Sequence, residues 1–231
     1  GAFGNANGGI EIFGGGSNSV VGLALDGTGA GNVIAHNGGP GISLWDSGTA
    51  GHTLRGNRIF SNGAPAIVLN GIIANDYLDP DDGPNAFQNH PEFTEAVSGG
   101  GYTTVRGTLD STPDRTFFID VYRTASVGPE VDADAWIGST TVTTDGGGSA
   151  TFAFSTHGAF AGQRISATAT DTTTGDTSEL TSDAFTVTTT NGVAAPDALP
   201  NITDLVHDAG AGTFTFTLES APAGFSYQIQ Y

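Results

Sequence analysis

Hydrophobic and polar positions in the first third of the chain repeat at an interval of 25 residues. The segments "GNVIAHNGGPGISLW" (31–45) and "GNRIFSNGAPAIVLN" (56–70) match at eight of fifteen positions when they are aligned at this interval. A weaker copy, "GGIEIF" (8–13), precedes them. A period in the twenties with Gly and Asn between short apolar groups predicts a β-solenoid, in which each turn of chain returns about 4.8 Å above the last. The matching pairs are Gly31/Gly56, Asn32/Asn57, Ile34/Ile59, Asn37/Asn62, Gly38/Gly63, Pro40/Pro65, Ile42/Ile67 and Leu44/Leu69.

The alignment predicts which side chains stack on one another. We expect the aliphatic pairs to fill the interior and Asn37 and Asn62 to form a corner ladder, because Asn and Gly tolerate the left-handed backbone that corners require. The alternative is a pair of similar hairpins in a β-sandwich. The expected stacked pairs are Ile34/Ile59, Ile42/Ile67, Ile10/Ile42 and Ile12/Leu44, with Ser19–Gly22 aligned on Thr53–Gly56.

From about residue 101 to 188 the pattern changes to period-two alternation. Segments such as "TTVRGTL", "RTFFIDVYR", "SATFAFST" and "RISATATD" read as strands, with turn signals such as "STPD" and "DGGG" between them. Six or seven strands at this spacing indicate an antiparallel sandwich. Residues 189–200 read as a linker, and 201–231 begin a further pair of strands with alternating aromatic residues. The predicted fold class is therefore all-β.

Three parts of the sequence resemble known families. Residues 1–75, with rungs such as "GAGNVIAHNGGPGISL", resemble the right-handed parallel β-helix repeat proteins of bacterial cell surfaces, which implies about three rungs. "ISATATDTTTGDTSEL", within 101–188, is similar to bacterial immunoglobulin-like modules, which implies that Asp171 and Ser178 fix a turn. Residues 201–231 resemble a truncated fibronectin type III-like module. The resemblance implies an extracellular, cell-surface location.

Charge and composition exclude several kinds of partner. The formal net charge is −18, and all six basic residues are Arg, so nucleic acid and anionic membranes are poor partners. Cysteine is absent, which excludes a disulfide framework. No apolar run approaches the roughly 18 to 20 residues of a membrane span. The opening "GAFGNANGG" suggests a processed or excerpted segment.

The acidic junction, residues 76–100, is the strongest candidate for a ligand site. Its start, "NDYLDPDDGPN", holds four carboxylates and no basic residue, and Gly83 allows a sharp turn. Oxygen ligands at alternate positions are typical of Ca²⁺ loops. The competing interpretation is that Asp and Asn cap backbone donors without a metal. We expect "QNHPEF" to cross the end of the solenoid, with Phe87 and Phe93 covering its core. The candidate calcium ligands are Asp76, Asp79, Asp81, Asp82 and Asn85.

Catalytic chemistry is weakly indicated. The parallel β-helix fold is shared with polysaccharide lyases and glycosidases, but no paired-carboxylate arrangement or catalytic motif is evident, and we assign no catalytic residue. We expect Arg58 to point outward and His36 to face solvent or a corner. Trp45 and Trp136 are candidate platforms for a sugar ring. The polar residues that remain for such chemistry are His36, His52, Arg55, Arg58, Asp46 and Glu11.

The sequence therefore predicts a non-enzymatic extracellular protein, an adhesin or a filament-forming subunit. Stacked rungs and sandwiches are rigid, and an open solenoid end such as residues 1–12 invites axial association. The expected partners are further copies of the chain, joined head to tail, or surface and matrix glycans. The alternative is a β-helix protein that binds or cleaves carbohydrate.

Overall fold

The computed structural model describes residues 4–126, 131–190, 201–208 and 213–219, the last two segments by their backbone only. The described chain is all-β, and its single short helical turn is the 3-10 turn Pro84–Phe87. The strands are β1 (Ile10–Ile12), β2 (Val33–Ala35), β3 (Ile42–Leu44), β4 (Arg58–Phe60), β5 (Ile67–Leu69), β6 (Glu92–Gly99), β7 (Tyr102–Asp110), β8 (Thr116–Thr124), β9 (Ala135–Thr143), β10 (Ser149–His157), β11 (Arg164–Asp171), β12 (Phe185–Thr186), β13 (Thr188–Thr189), β14 (Asn201–Asp208) and β15 (Thr213–Glu219).

Residues 10–70, here called the stacked unit, form short parallel strands in layers. One sheet has the order β1-β3-β5 and another pairs β2 with β4. Ile34 pairs with Ile59 and Ile42 with Ile67, as the 25-residue period predicts. The pairs Ile10/Ile42 and Ile12/Leu44 are also confirmed. The Ser19–Gly22 alignment is wrong by one residue, because Val20 rather than Ser19 pairs with Thr53.

Asparagine side chains link successive layers of the stacked unit. Asn62 Oδ1 accepts hydrogen bonds from the backbone N and the Nδ2 of Asn37, at 3.1 and 2.9 Å, which confirms the predicted ladder. A second ladder joins Asn32 to Asn57 in the same way, at 3.0 Å for both bonds. Since these amides satisfy backbone donors at corners where the strand ladder stops, they hold the rungs in register.

Glycines of the repeat permit close approach between layers. A Cβ on Gly63 would lie 2.2 Å from the carbonyl oxygen of Gly38, and one on Gly31 would lie 1.9 Å from that of Gly56. These contacts are with backbone atoms, which cannot rotate away as a flexible side chain would. The repeated Gly therefore reflects the spacing of the layers at the corners.

Residues 92–189, here called the two-sheet unit, contain two four-stranded sheets, β10-β7-β6-β13 and β12-β11-β8-β9. Side chains from both sheets, among them Val105, Phe152, Ile119 and Ile165, form one buried hydrophobic cluster. Five predicted strands, which correspond to β7–β11, are found within one or two residues of their expected ends. The prediction of a single strand at "DAFTVTTT" (183–190) is wrong, because this segment is divided into β12 and β13, which belong to different sheets. The pattern did not predict β6, which lies inside the range assigned to the acidic junction and pairs with β7.

The structure corrects the expectation for Phe93, and it describes only part of the predicted C-terminal region. Phe87 packs against the core of the stacked unit as expected, but Phe93 belongs to the two-sheet core, where its ring meets Phe152 and Phe185. Phe93 lies on β6, and the pairing of that strand with β7 directs it away from the stack. In the C-terminal region β14 pairs with β15 in an antiparallel sheet. Most of the predicted linker (191–200) and the second aromatic strand (225–231) lie outside the described residues.

Candidate functional site

The acidic junction is held by hydrogen bonds within the protein. Asp79 accepts from the backbone N of Asn89 and from the side chains of Gln88 and Ser111. Its carboxylate therefore caps donors of the loop, as the capping interpretation expects. Burial raises the pKa of Asp79 to about 6, against these hydrogen bonds and with a further contribution from Asp76 and Asp81.

The side-chain amide of Asn85 is used in hydrogen bonds within the protein. Its side chain is fully buried, its Oδ1 accepts from the backbone N of His52 at 2.9 Å, and its Nδ2 donates to the carbonyls of His52 and Thr177. Asn85 thus joins the stacked unit to the two-sheet unit. Asn85 could ligate calcium through its side-chain oxygen only by giving up the hydrogen bond from His52.

The remaining carboxylates lie near the surface. Burial raises the pKa of Asp76, and the nearby charges of Asp81 and Asp110 add to this effect. Asp82 is exposed. Across the described residues, no group of three or more His, Asp or Glu side chains has the arrangement of a metal site. Calcium binding by the predicted set, Asp76, Asp79, Asp81, Asp82 and Asn85, stays a prediction of the sequence.

The polar candidates for catalytic chemistry are dispersed. His36 is exposed with its ring edge-on to Phe60, and Arg58 is exposed, both as expected. His52 is buried, with its Nδ1 accepting from Ser19 N at 3.2 Å and its Nε2 bonded to the Gly16 carbonyl at 2.8 Å. Asp46 accepts from the backbone N of Gly14, and Glu11 is exposed on β1.

Arg55 is the centre of a buried polar contact between the two units. Its Nε lies 2.6 Å from Asp120 Oδ2, and both side chains are almost fully buried. Asp120 Oδ1 also accepts from Trp136 Nε1 at 2.9 Å, and Arg55 Nη2 donates to Ser139 Oγ. The Arg55 guanidinium lies 3.7 Å from the ring centroid of Phe118. A buried ion pair with these additional hydrogen bonds fixes one orientation of the partners.

A second buried carboxylate closes one end of the stacked unit. Glu179, from the two-sheet unit, accepts from the backbone N of Leu69 at 2.8 Å and of Ile73 at 3.0 Å. Burial raises the pKa of Glu179 to about 7, although both hydrogen bonds favour its charged form. Ala133, also from the two-sheet unit, exchanges two backbone hydrogen bonds of 2.8 Å with Ile59. The last layer of the stack is therefore covered by the two-sheet unit.

The two tryptophans are half-exposed and each uses its indole N–H within the protein. Trp45 is 36% exposed and donates to the Ser43 hydroxyl, and Trp136 is 41% exposed and donates to Asp120. Part of each side chain is therefore exposed to solvent, although Trp136 is also part of the buried Arg55–Asp120 contact.

The sequence did not reveal the contacts between the units. Asp120 and Glu179 sit in strand-like or turn-like segments whose polar residues read as solvent-facing, and no short-range spacing links them to Arg55 or Leu69. The turn residues were easier to predict from the sequence. Asp171 Oδ1 accepts from Thr173 N, and Ser178 bonds Ala169 through both backbone and side chain, so both fix a turn as expected.

Comparison with protein-family models and with curated proteins found no match for this chain. Among the described residues, no helix is long and apolar enough to cross a membrane.

Proposed function

We propose that this protein is a non-enzymatic extracellular structural module, in which a short right-handed parallel β-helix is fixed to an immunoglobulin-like sandwich. The observation that carries the proposal is the buried joint between the two units. Arg55 reaches Asp120, Glu179 reaches the last layer of the stack, and Asn85 bonds both units. Such a joint suits a rigid element that transmits force or sets a spacing, since relative motion would expose uncompensated charge.

The two ends of the stack differ, and only the end at the first layer suits assembly. The last layer is covered by Glu179 and Ala133, whereas β1 pairs with β3 alone among the described strands. Phe13 and Val20, in the first layer, are exposed large apolar side chains. An unpaired edge beside apolar side chains favours pairing with another strand. We propose that this end contacts the C-terminal strand pair β14–β15 of a neighbouring copy, or another surface component.

Light scattering over a range of protein concentrations, with and without Ca²⁺, tests assembly. We expect the mass to rise with concentration for the parent chain and to stay monomeric for a Phe13→Asp, Val20→Asp double variant. Ile72→Asp, which changes an exposed apolar residue after β5, is the matched control and should assemble like the parent. A parent chain that remains monomeric throughout, or a double variant that assembles equally well, would contradict the proposal.

A carbohydrate-binding or carbohydrate-cleaving protein is the second candidate, because Trp45 and Trp136 are partly exposed aromatic side chains. A glycan array together with an activity screen on acidic polysaccharides separates the two classes. Cleavage would replace the structural proposal, whereas binding without cleavage is compatible with an adhesive role.

A further inference from the structure

The six arginines of the protein divide into two groups. In a chain with 24 acidic residues, each arginine is expected to find a carboxylate nearby. Arg58, Arg123 and Arg164 nevertheless form no ion pair with any described residue. All three line the same cleft. The other three do form ion pairs, which are Arg55–Asp120, Arg106–Glu95 and Arg115–Asp171.

The cleft lies where β4 of the stacked unit meets the ends of β8 and β11. Its volume is about 480 Å³, which is in the range of small-ligand sites. Polar groups of several kinds share it with the arginines. Its remaining lining residues include Thr124, Asp134 and Gln163. We call it the arginine cleft.

Two of the three guanidinium groups, those of Arg58 and Arg123, are held by hydrogen bonds, and all three keep free donors. Arg58 donates from Nε to the Asp134 carbonyl at 2.8 Å and lies 4.2 Å from the ring centroid of Phe60, which leaves both Nη groups open. Arg123 donates from Nη1 to Gln163 Oε1, while its Nε is buried with no partner among the described residues. The Arg164 side chain has no hydrogen bond within the described part of the chain. Asp134 brings a negative charge to the same cleft, so the three arginines leave a net positive charge that a bound anion would neutralise.

We propose that the arginine cleft binds a saccharide that carries carboxylate groups. A guanidinium group donates two parallel hydrogen bonds to a carboxylate, so the free donors of Arg58, Arg123 and Arg164 match such a group. The neutral and acidic groups of the cleft suit sugar hydroxyls. Asp134 uses Oδ2 for the backbone N of Ala125 and keeps Oδ1 to accept from a hydroxyl, and Gln163 keeps its amide N–H donors.

A densely acidic peptide, such as the acidic junction of a second copy, fits the cleft less well. The Asp134 carboxylate would face its side chains without a hydroxyl to accept from. Two copies of the chain, each with a net charge of −18, would also repel each other. A sugar acid has one charge for several hydroxyl groups, which corresponds to the mixture of groups that line the cleft.

Isothermal titration calorimetry of the full chain at low protein concentration tests this proposal. The probes are a short oligogalacturonate, a neutral galactose oligomer of the same length, and a short poly-aspartate peptide. We expect the oligogalacturonate to bind, with an affinity that falls as salt rises because the contacts are charged, and the neutral oligomer not to bind.

Arg164→Gln should weaken oligogalacturonate binding by about tenfold or more, since one charge-assisted pair is lost. Its side chain has no described partner, so the variant should fold, and a thermal melt by circular dichroism checks this. Arg106→Gln, which removes an arginine outside the cleft, is the matched control and should bind like the parent chain.

Three results would each overturn the proposal: no binding of oligogalacturonate by the folded parent chain, equal binding of the neutral oligomer or of poly-aspartate, or an Arg164→Gln variant that binds as tightly as Arg106→Gln. The proposal goes beyond the structural role and does not need assembly. Failure of the titration therefore leaves the light-scattering result unchanged.

Discussion

The stacked unit and the two-sheet unit are both β structure, but they select strand partners differently. In the stacked unit a residue meets its own equivalent, so Ile34 lies beside Ile59 and Asn37 bonds Asn62. In the two-sheet unit an antiparallel partner is a different residue, as where Phe117 pairs with Val142. Register in the first unit depends on identity between repeats, whereas in the second it depends on turns and on the alternation of the two faces.

The two sheets of the second unit also differ from each other. β10 alternates between exposed and buried residues, as expected for a sheet with one solvent face. β11 is buried along almost its whole length. Its sheet also carries buried polar side chains such as Asp120 and Thr170, and Asp120 contacts Arg55 of the stacked unit. The joint between the units combines these buried polar contacts with apolar packing of Tyr122, Val131 and Leu180 in the core of the stacked unit. It is where the largest single-residue effects are expected.

Removing the buried charge at the joint should have the largest effect on stability. Arg55→Ala leaves Asp120 buried without its cationic partner, so we expect the free energy of unfolding to fall by about 3 to 5 kcal/mol. Chemical denaturation measures this loss. Arg106→Ala, which breaks the exposed pair with Glu95, is the control and should cost about 1 kcal/mol or less. If both variants cost the same small amount, the joint does not couple the units.

The pH dependence of stability should report the carboxylate that covers the last layer of the stack. The folded-state pKa of Glu179 is raised from 4.5 to about 7, so the folded chain holds this proton more tightly than the unfolded chain. Its contribution is fully present below about pH 4.5 and is lost as pH rises through about 7, at most about 3 kcal/mol. Asp79 acts in the same direction between 3.8 and about 6.

Glu179→Gln removes that titration, and we expect a flatter stability profile in the upper part of this pH range. Denaturation midpoints at a series of pH values provide the measurement. Glu11→Gln makes the same charge change on an exposed residue and should retain the slope of the parent chain. A Glu179→Gln profile as steep as that of the parent would contradict the assignment.

The close spacing of the layers should make Gly63→Ala destabilising. The added methyl group would meet the carbonyl oxygen of Gly38, and such overpacking costs about 1 to 3 kcal/mol. Gly146→Ala, at a turn of the two-sheet unit with no atom near the added group, should be close to neutral. Thermal unfolding of the two variants compares them directly. Equal stability would mean that the corner of the stack relaxes easily.

The asparagine ladder should contribute less than the joint but more than an exposed cross-strand pair. Asn62→Ala leaves the backbone N of Asn37 without its acceptor, so we expect a cost of about 1 to 2 kcal/mol. Thr143→Ala, which removes the exposed hydroxyl pair with Thr116, should cost about 0.5 kcal/mol. Denaturant midpoints decide between them. An Asn62 variant as stable as the Thr143 variant would show that water replaces the ladder at little cost.

The predictions that the structure confirms are those with the strongest sequence signals. The offset between Asn37 and Asn62 predicted both their stacking and their hydrogen bonds, because a repeat places equivalent atoms one layer apart. The weaker copy was aligned correctly at Ile10 and wrongly at Ser19, where no strong match fixed the register. Phe93 was assigned to the wrong core because an aromatic residue after a turn can serve either neighbouring unit.

The acidic junction and the arginine cleft also differ in how far the sequence predicts them. The carboxylates of 76–82 were visible as a local cluster, and the sequence left capping and calcium binding open as alternatives. The arginine cleft was not visible, because Arg58, Arg123 and Arg164 are distant in sequence and belong to different strands.

The sequence by itself determined the all-β class, the pairing of equivalent residues in the stacked unit and most strand positions, since these depend on local periodicity and on nearby repeats. Only the tertiary structure decided which polar residues are buried between the units, that Asp120 meets Arg55, that Glu179 covers the last layer, and that three arginines share a cleft. Those contacts join residues tens of positions apart, and no periodic pattern encodes them because each depends on how two finished units pack together.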